Sequence, residues 1–352
     1  MRNTKYIIIA IAFLISSCSE NKKNEPQPQN EDIKENLQNS SYIITSTYKD
    51  LSDRSEDLFK ATQTLLNTPT ESNLESARTA WREARKDWEM SEGFLFGPVD
   101  SKGLDPSIDS WPVNKVDLDN VLSSTKVLSK ETVGELESTL KGFHTIEYLL
   151  FGEDAKKPIS AFNKRQFEYL VACVQNLRES TLTLYQTWSP EHENFQANLI
   201  LAGTDKSIYP SQKASLQDLV NGLVTIADEV ANGKINDPFV EKNLTLEESQ
   251  FSDNSKADFQ DNIRSIQNIY TGKFKNIIQG KSVGDWVAVK NSDLDKRVRQ
   301  KIQNSIDAIG AIPGTFSDAV FNNRPAVENA QIKVRELQQI LEAEVLPLVS
   351  KM

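Results

Sequence analysis

His144 and Glu147 are the residues of this chain whose types and spacing speak most directly of chemistry. The chain has only two histidines, and one of them stands three residues before a glutamate. Leu136, Leu140, Phe143, Glu147 and Leu150 recur at spacings of 4, 3, 4 and 3, which is one face of an α-helix. A carboxylate therefore sits where the pattern asks for leucine. Buried without a partner it is costly, so Glu147 needs a proton, a hydrogen-bonding partner or a cation. His144, one turn earlier on the same side, supplies an imidazole beside it. An imidazole, a carboxylate and nearby oxygens suit a ferric ion or another oxygen-preferring metal. On this reading Glu147 serves function rather than folding, and Glu147→Leu would leave stability intact or raise it.

Other chemistries find less support. The sequence has no H-E-x-x-H, so the usual zinc-peptidase pair of histidines is missing. A ferritin-like di-iron centre needs two E-x-x-H pairs, whereas here the order is H-x-x-E and occurs once. No G-x-S-x-G elbow is present. His192, in Pro190-Glu191-His192-Glu193, reads as a surface residue at a helix end, and Cys173 as a small buried hydrophobe. The connection from Gly97 to Ser129 carries Asp100, Asp105, Asp109, Trp111 and Pro112 and is a source of further oxygen ligands. Glu248, Ser249, Ser252, Asn254 and Ser255 form a second polar stretch, which either walls a pocket or caps the helix that follows.

These residues need a scaffold, and helical periodicity supplies it. Ile44, Tyr48, Leu51, Leu58 and Leu65 mark one helix; Leu74, Ala77, Trp81, Ala84 and Trp88 mark a second. The His144 helix is expected to start near Thr132, with Thr132 and Glu135 as a capping box. Phe167, Leu170, Val174, Leu177, Leu184 and Trp188 mark a fourth. After a break from Ser189 to Pro210 come stripes at Leu216–Val230, Phe259–Tyr270, Val298–Ile309 and Val334–Leu348. The fold class expected is all-α, two packed helical bundles, the first over residues 39–200 and the second over 201–352.

The first 17 residues read as a signal peptide: Arg2 and Lys5, a short apolar run, then Ser16-Ser17-Cys18. Cys18 fits a bacterial lipoprotein box and would be lipidated. Ser19 after it favours the outer membrane of a Gram-negative envelope. Residues 18–38, poor in apolar side chains, read as the lipidated cysteine and a flexible tether. Cleavage removes the two positive charges of Arg2 and Lys5, taking the net charge from −10 to −12. So acidic a chain is unsuited to nucleic acid. The lipid, and not a basic surface, would hold it to the membrane.

Gly142-Phe143-His144-Thr145-Ile146-Glu147 matches G-x-H-x-x-E, and in this the chain resembles the imelysin family of bacterial proteins. Trp81–Arg85, Glu92–Pro98, Asp109–Pro112, Glu248–Ser255 and Ile269–Gly272 also resemble its signatures, in order, over about residues 40 to 350. Imelysins were first classed as insulin-cleaving metallopeptidases and are now linked to iron uptake. The resemblance implies two packed helical bundles and a metal, iron or another divalent or trivalent cation, at His144 and Glu147. It implies a ligand site lined by Glu92, Asp109, Trp111, Glu248, Ser249 and Asn254. It also implies neighbours among envelope transport proteins. Two other readings stand beside metal acquisition. One is a metallopeptidase, for which one histidine and one glutamate are a thin kit. The other is a binder of an organic ligand such as an oligosaccharide, with Trp81, Trp88 and Trp111 lining a groove.

Overall fold

The structure is a computed structural model and describes residues 29–352. The expected signal peptide, Cys18 and the first part of the tether lie outside the described residues. Eight principal helices follow: α1 (Glu31–Asn67), α2 (Glu71–Glu89), α3 (Gly142–Phe151), α4 (Lys164–Trp188), α5 (Gln212–Glu229), α6 (Ser255–Thr271), α7 (Ser292–Gly310) and α8 (Arg324–Ile340). A hairpin of two-residue strands, β1 (Lys273–Phe274) with β2 (Ile278–Gln279), is the only sheet among the described residues.

Each helix buries the stripe that its sequence announces. Ile44, Tyr48, Leu51, Leu58 and Leu65 of α1 are fully buried, as are Leu74, Ala77, Trp81, Ala84 and Trp88 of α2. The helices close into two rings. In the first, α1 packs on α2, α2 on α3, α3 on α4 and α4 back on α1. In the second, α5 packs on α6, α6 on α7, α7 on α8 and α8 back on α5. The rings meet where α2 lies on α6 and the turn Glu92–Phe94 lies on α5 and α6, and one apolar core runs through both.

Two expectations need correction. The tether was expected to reach residue 38, but α1 begins at Glu31 behind an Asn30 cap whose side chain accepts from Ile33 N. Ile33, Asn36 and Leu37 are buried. A helix needs only one apolar stripe, and average composition conceals it. The main-chain N of Asn30 donates to Gln212 Oε1 (2.9 Å) and Gln212 Nε2 donates back to Asn30 O (3.1 Å), fixing this end to the start of α5. The last turn of the chain reaches the same place, where Lys213 Nζ donates to Ser350 O (2.6 Å) and Gln217 Nε2 to Ser350 Oγ (3.0 Å).

The second correction concerns the His144 helix. Thr132 does belong to a capping box, but with Ser129, on the short helix Lys130–Gly134. The chain then turns through Ser138–Leu140, extends at Lys141 and re-enters a helix at Gly142. Gly142 has φ +74°, and a Cβ there would lie 2.4 Å from the carbonyl oxygen of Ile108. Only glycine allows both the left-handed backbone and this close approach. The contact sets α3 against the end of the short helix Leu104–Ile108 and so puts Asp109 beside His144. We predict that Gly142→Ala lowers stability by about 1–3 kcal/mol through strain and overpacking. Thermal denaturation read by circular dichroism checks this.

Candidate functional site

The charged residues converge where the two rings join. From α2 come Arg85, Trp88 and Glu89, from the turn after it Glu92, from the end of Leu104–Ile108 Asp109, and from α3 His144 and Glu147. The second half contributes Glu248, from the segment before α6, then Asp258 and Asn262 on α6. Lys234 comes from a π-helical turn, Val230–Lys234, that continues α5. All of these side chains are buried; Glu92, at 8%, is the most exposed of the charged ones.

His144 is held at both nitrogens. Its Nδ1 lies 3.1 Å from Glu147 Oε2, and its Nε2 lies 3.0 Å from Asp109 Oδ1, an ion-pair contact off the axis of a straight hydrogen bond. Burial and the nearby Arg85 both push its pKa down, but Asp109 and Glu147 outweigh them and raise it to about 9. His144 is therefore an imidazolium at neutral pH, with a proton on each nitrogen. Burial alone would raise the pKa of Asp109, yet Arg85 and His144 hold it well below the usual carboxylate range. Trp88 Nε1 donates to its other oxygen (2.7 Å). Glu147 is equally committed: Oε1 accepts from Phe251 N (3.0 Å), Ser252 N (2.8 Å) and Ser252 Oγ (2.7 Å). It ties the two halves together and fixes the imidazole.

Two permanent cations sit deeper. Arg85, fully buried, pairs with Asp109, with Glu89 (2.5 Å) and with Glu248 (2.9 Å), and its Nε lies 3.8 Å from Asp258. Lys234 Nζ lies 2.6 Å from Glu92 Oε2, 2.8 Å from Glu248 Oε1 and 3.5 Å from Glu89 Oε2. Asn262 Nδ2 donates to Glu89 (2.6 Å) and Glu92 (3.0 Å). Carboxylates outnumber cations: Glu89, Glu92, Asp109, Glu147, Glu248 and Asp258 face Arg85, Lys234 and His144. Burial pushes Glu89 and Glu92 well above the usual range despite Arg85 and Lys234, and lifts Asp258 to about 7. Several acceptors lack a partner even so, among them Glu248 Oε2, Asp258 Oδ2 and Asn262 Oδ1.

Of the residues expected from sequence, His144, Glu147, Asp109, Glu92 and Glu248 share this one network. Trp111 is half-buried and roofs it, its ring 5.8 Å from that of His144 and 5.6 Å from Lys234 Nζ. Ser249 is buried close by with its hydroxyl unpaired. Asn254 stands at the cap position of α6, but its side chain donates to Asp258 (2.7 Å) and caps nothing. Asp100 and His192 are exposed, and Cys173 is buried with its thiol pushed up by burial. Trp81 and Trp88 are fully buried in the core, which removes two of the three aromatics from the imagined oligosaccharide groove. Arg85, Glu89, Lys234, Asp258 and Asn262 are site residues that the sequence reading does not name as such, and Trp88 serves as a donor to Asp109 instead of lining a groove. Arg85 and Glu89 had a signal, since a charged i, i+4 pair falls among the apolar stripe of α2. Lys234 had none, because a π turn has no readable period.

The donor set suits a hard cation. Ligand atoms of Asp109, His144 and Glu248 lie within 4.8 Å of one another, as do those of Glu89, Glu92, Asp109 and Glu248. Carboxylate oxygens of this density prefer iron, manganese or calcium to softer metals. The second group fits better than the first, because both nitrogens of His144 carry protons at neutral pH. Glu147 is in neither group. Two surface clefts lie elsewhere, one beside Arg54, Asp57, Glu75 and Glu83 and the other beside the β1–β2 hairpin. The charged centre itself is buried.

Two four-helix rings around a buried, acid-rich junction define an all-α protein with a polar centre in place of part of its core. The chain belongs to the Imelysin family, whose model matches residues 44–344. It is 31% identical over 311 residues to iron-regulated protein A of Synechococcus elongatus, covering 87% of this chain and 84% of that one. Its fold is shared by a proposed iron-regulated protein A precursor from Parabacteroides distasonis, at TM-score 0.83 and 24% identity over 92% of this chain and 96% of that one. An imelysin-like protein from Psychrobacter arcticum has the same fold, at TM-score 0.74 and 12% identity, covering 92% of this chain and 97% of its own.

The network reverses the expectation for Glu147→Leu. That substitution strands the donors of Phe251 and Ser252 and removes a counter-charge from buried His144. We predict a loss of roughly 3–5 kcal/mol, the usual cost of breaking a buried pair, measured by urea denaturation. The pH dependence follows from His144. Its pKa is about 9 when folded and about 6.5 when unfolded. The stability it contributes is fully present below pH about 6.5 and is lost as pH rises through 9, on the order of 3 kcal/mol. In metal-free protein, melting temperature should fall from pH 7 to 9.5, and His144→Gln should flatten that slope.

Proposed function

We propose that this imelysin-family chain is a cell-envelope lipoprotein that serves iron acquisition by binding a metal ion in the acid-rich centre between its two helical rings. One observation carries the reading: a buried junction in which six acidic side chains face three cations, with acceptor atoms to spare. Such an excess of acidic groups stays buried only because burial keeps protons on some of them, Glu89 and Glu92 above all, and a cation could take the place of those protons. The iron-regulated relative at 31% identity supports iron as that cation. Asp109, Glu248, Glu89 and Glu92 would hold it, and His144, oriented by Glu147, would keep Asp109 in place. A bound metal would supply charge neutralisation at this junction.

Supporting the envelope setting are the signal-like N-terminus, Cys18 and the acidic chain, which together favour attachment through lipid, at the outer membrane and near transport proteins. Binding is favoured over peptide cleavage because a peptidase needs an open coordination position facing a substrate cleft. Here the site's charged side chains are buried, and two clefts of the surface lie away from them. In the test, purified protein is titrated with iron by calorimetry and assayed for metal content. Binding of one iron per chain is expected, lost in Glu248→Gln and Asp109→Asn while helicity is retained. Folded wild-type protein that takes up no metal would sink the reading.

A further inference from the structure

Lys234 is an unusual residue to find at the middle of a carboxylate cluster. Its ammonium is 1% exposed and touches Glu92, Glu248 and Glu89, from both halves of the fold. A lysine ammonium is a compact point charge with three donors and no directional plane, so it resembles a metal ion more than a guanidinium does. Arg85, by contrast, comes from the middle of α2 and is spread over several carboxylates. Lys234 is delivered by the π turn Val230–Lys234, an irregularity frequent at functional positions. Gly233, just before it, has open space where a Cβ would stand. Returning that turn to α register would swing Lys234 by roughly 100° about the axis. Beside the ammonium, Glu248 Oε2 and Asn262 Oδ1 are buried and have no donor. Those unpartnered acceptors mark a ligand position that the lysine only partly satisfies.

We propose that Glu89, Glu92 and Glu248, with Asp109 beside them, form the cation site, that Lys234 Nζ is its built-in occupant, and that a metal enters by displacing the lysine. The inference rests on the metal-binding reading above and deepens it. The fold carries its own removable counter-ion, so the carboxylates are never left bare while the site waits. Affinity for metal is then set by competition with a tethered ammonium, and movement of the π turn reports occupancy to the surface of the second ring. Trp111, over both His144 and Lys234, is the part of the roof that such a movement disturbs.

The test compares wild type with Lys234→Met, using manganese(II) as a redox-inert probe and iron(II) under anaerobic conditions. Lys234→Met should bind metal about tenfold or more tightly, and its lowered melting temperature should recover when metal is added. Lysine acylation read by mass spectrometry provides a second measurement on the wild type alone, which decides the matter if the variant fails to fold. Lys234 should be protected without metal and labelled with it. Metal binding by wild type with Lys234 still protected, or by the variant with no gain, overturns the lysine assignment and leaves the metal-binding function standing. No metal bound by either folded protein overturns both.

Discussion

A guanidinium with no exposure to water dictates much of this structure. Arg85 sits on the core face of α2, where its charge must be met by acids or it could not be buried at all. The acids that meet it are drawn from separate parts of the chain: Glu89 from its own helix, Asp109 from the long connection, Glu248 and Asp258 from the second half. Each contact obliges another segment to arrive in register. The two rings are consequently joined by compensated charge as well as by apolar packing. An ion pair of this kind adds little net stability compared with a hydrophobic contact, but losing one partner is severe. It therefore specifies how the rings meet more than how strongly.

Much of the fold was legible because helical stripes were. The apolar positions of α1, α2 and α4 to α8 point inward as their spacing requires, with Phe167 only partly buried, while Leu348, expected on the last helix, is partly buried on a short helix, Leu346–Ser350, beyond a π turn. The motif helix was less legible. Leu136 and Leu140 match its period but belong to turns before it, since Gly142 breaks the helix with a left-handed residue. Periodicity cannot tell a continuous helix from a broken one that keeps phase. The start of α1 was missed for the opposite reason, because two apolar residues among polar ones are enough when Asn30 caps them.

The site was legible in part. A glutamate in a leucine slot pointed to Glu147 and hence to His144, and the acid-rich connection did contribute Asp109. What spacing could not show was the role. Glu147 looked like a ligand, yet its oxygens are occupied by three donors from Phe251 and Ser252 and by the imidazole. The cations were less visible still, because the partners of Lys234 lie 14 to 145 residues away and meet only in the folded chain. Tertiary neighbours of opposite charge decide whether a histidine is a base, a ligand or a cation, and sequence places none of them.

The pairing of Asn30 with Gln212, and of Ser350 with Lys213 and Gln217, brings the beginning and end of the described chain to the first two turns of α5. Meanwhile α1 runs 37 residues from that point, about 55 Å at the rise of a helix. Anything attached ahead of Asn30 and anything fused behind Ser350 would thus emerge side by side. A reporter or affinity handle on the C-terminus would crowd the same face as an N-terminal anchor. The loop Thr68–Thr70, at the other end of α1, is the better place to carry one.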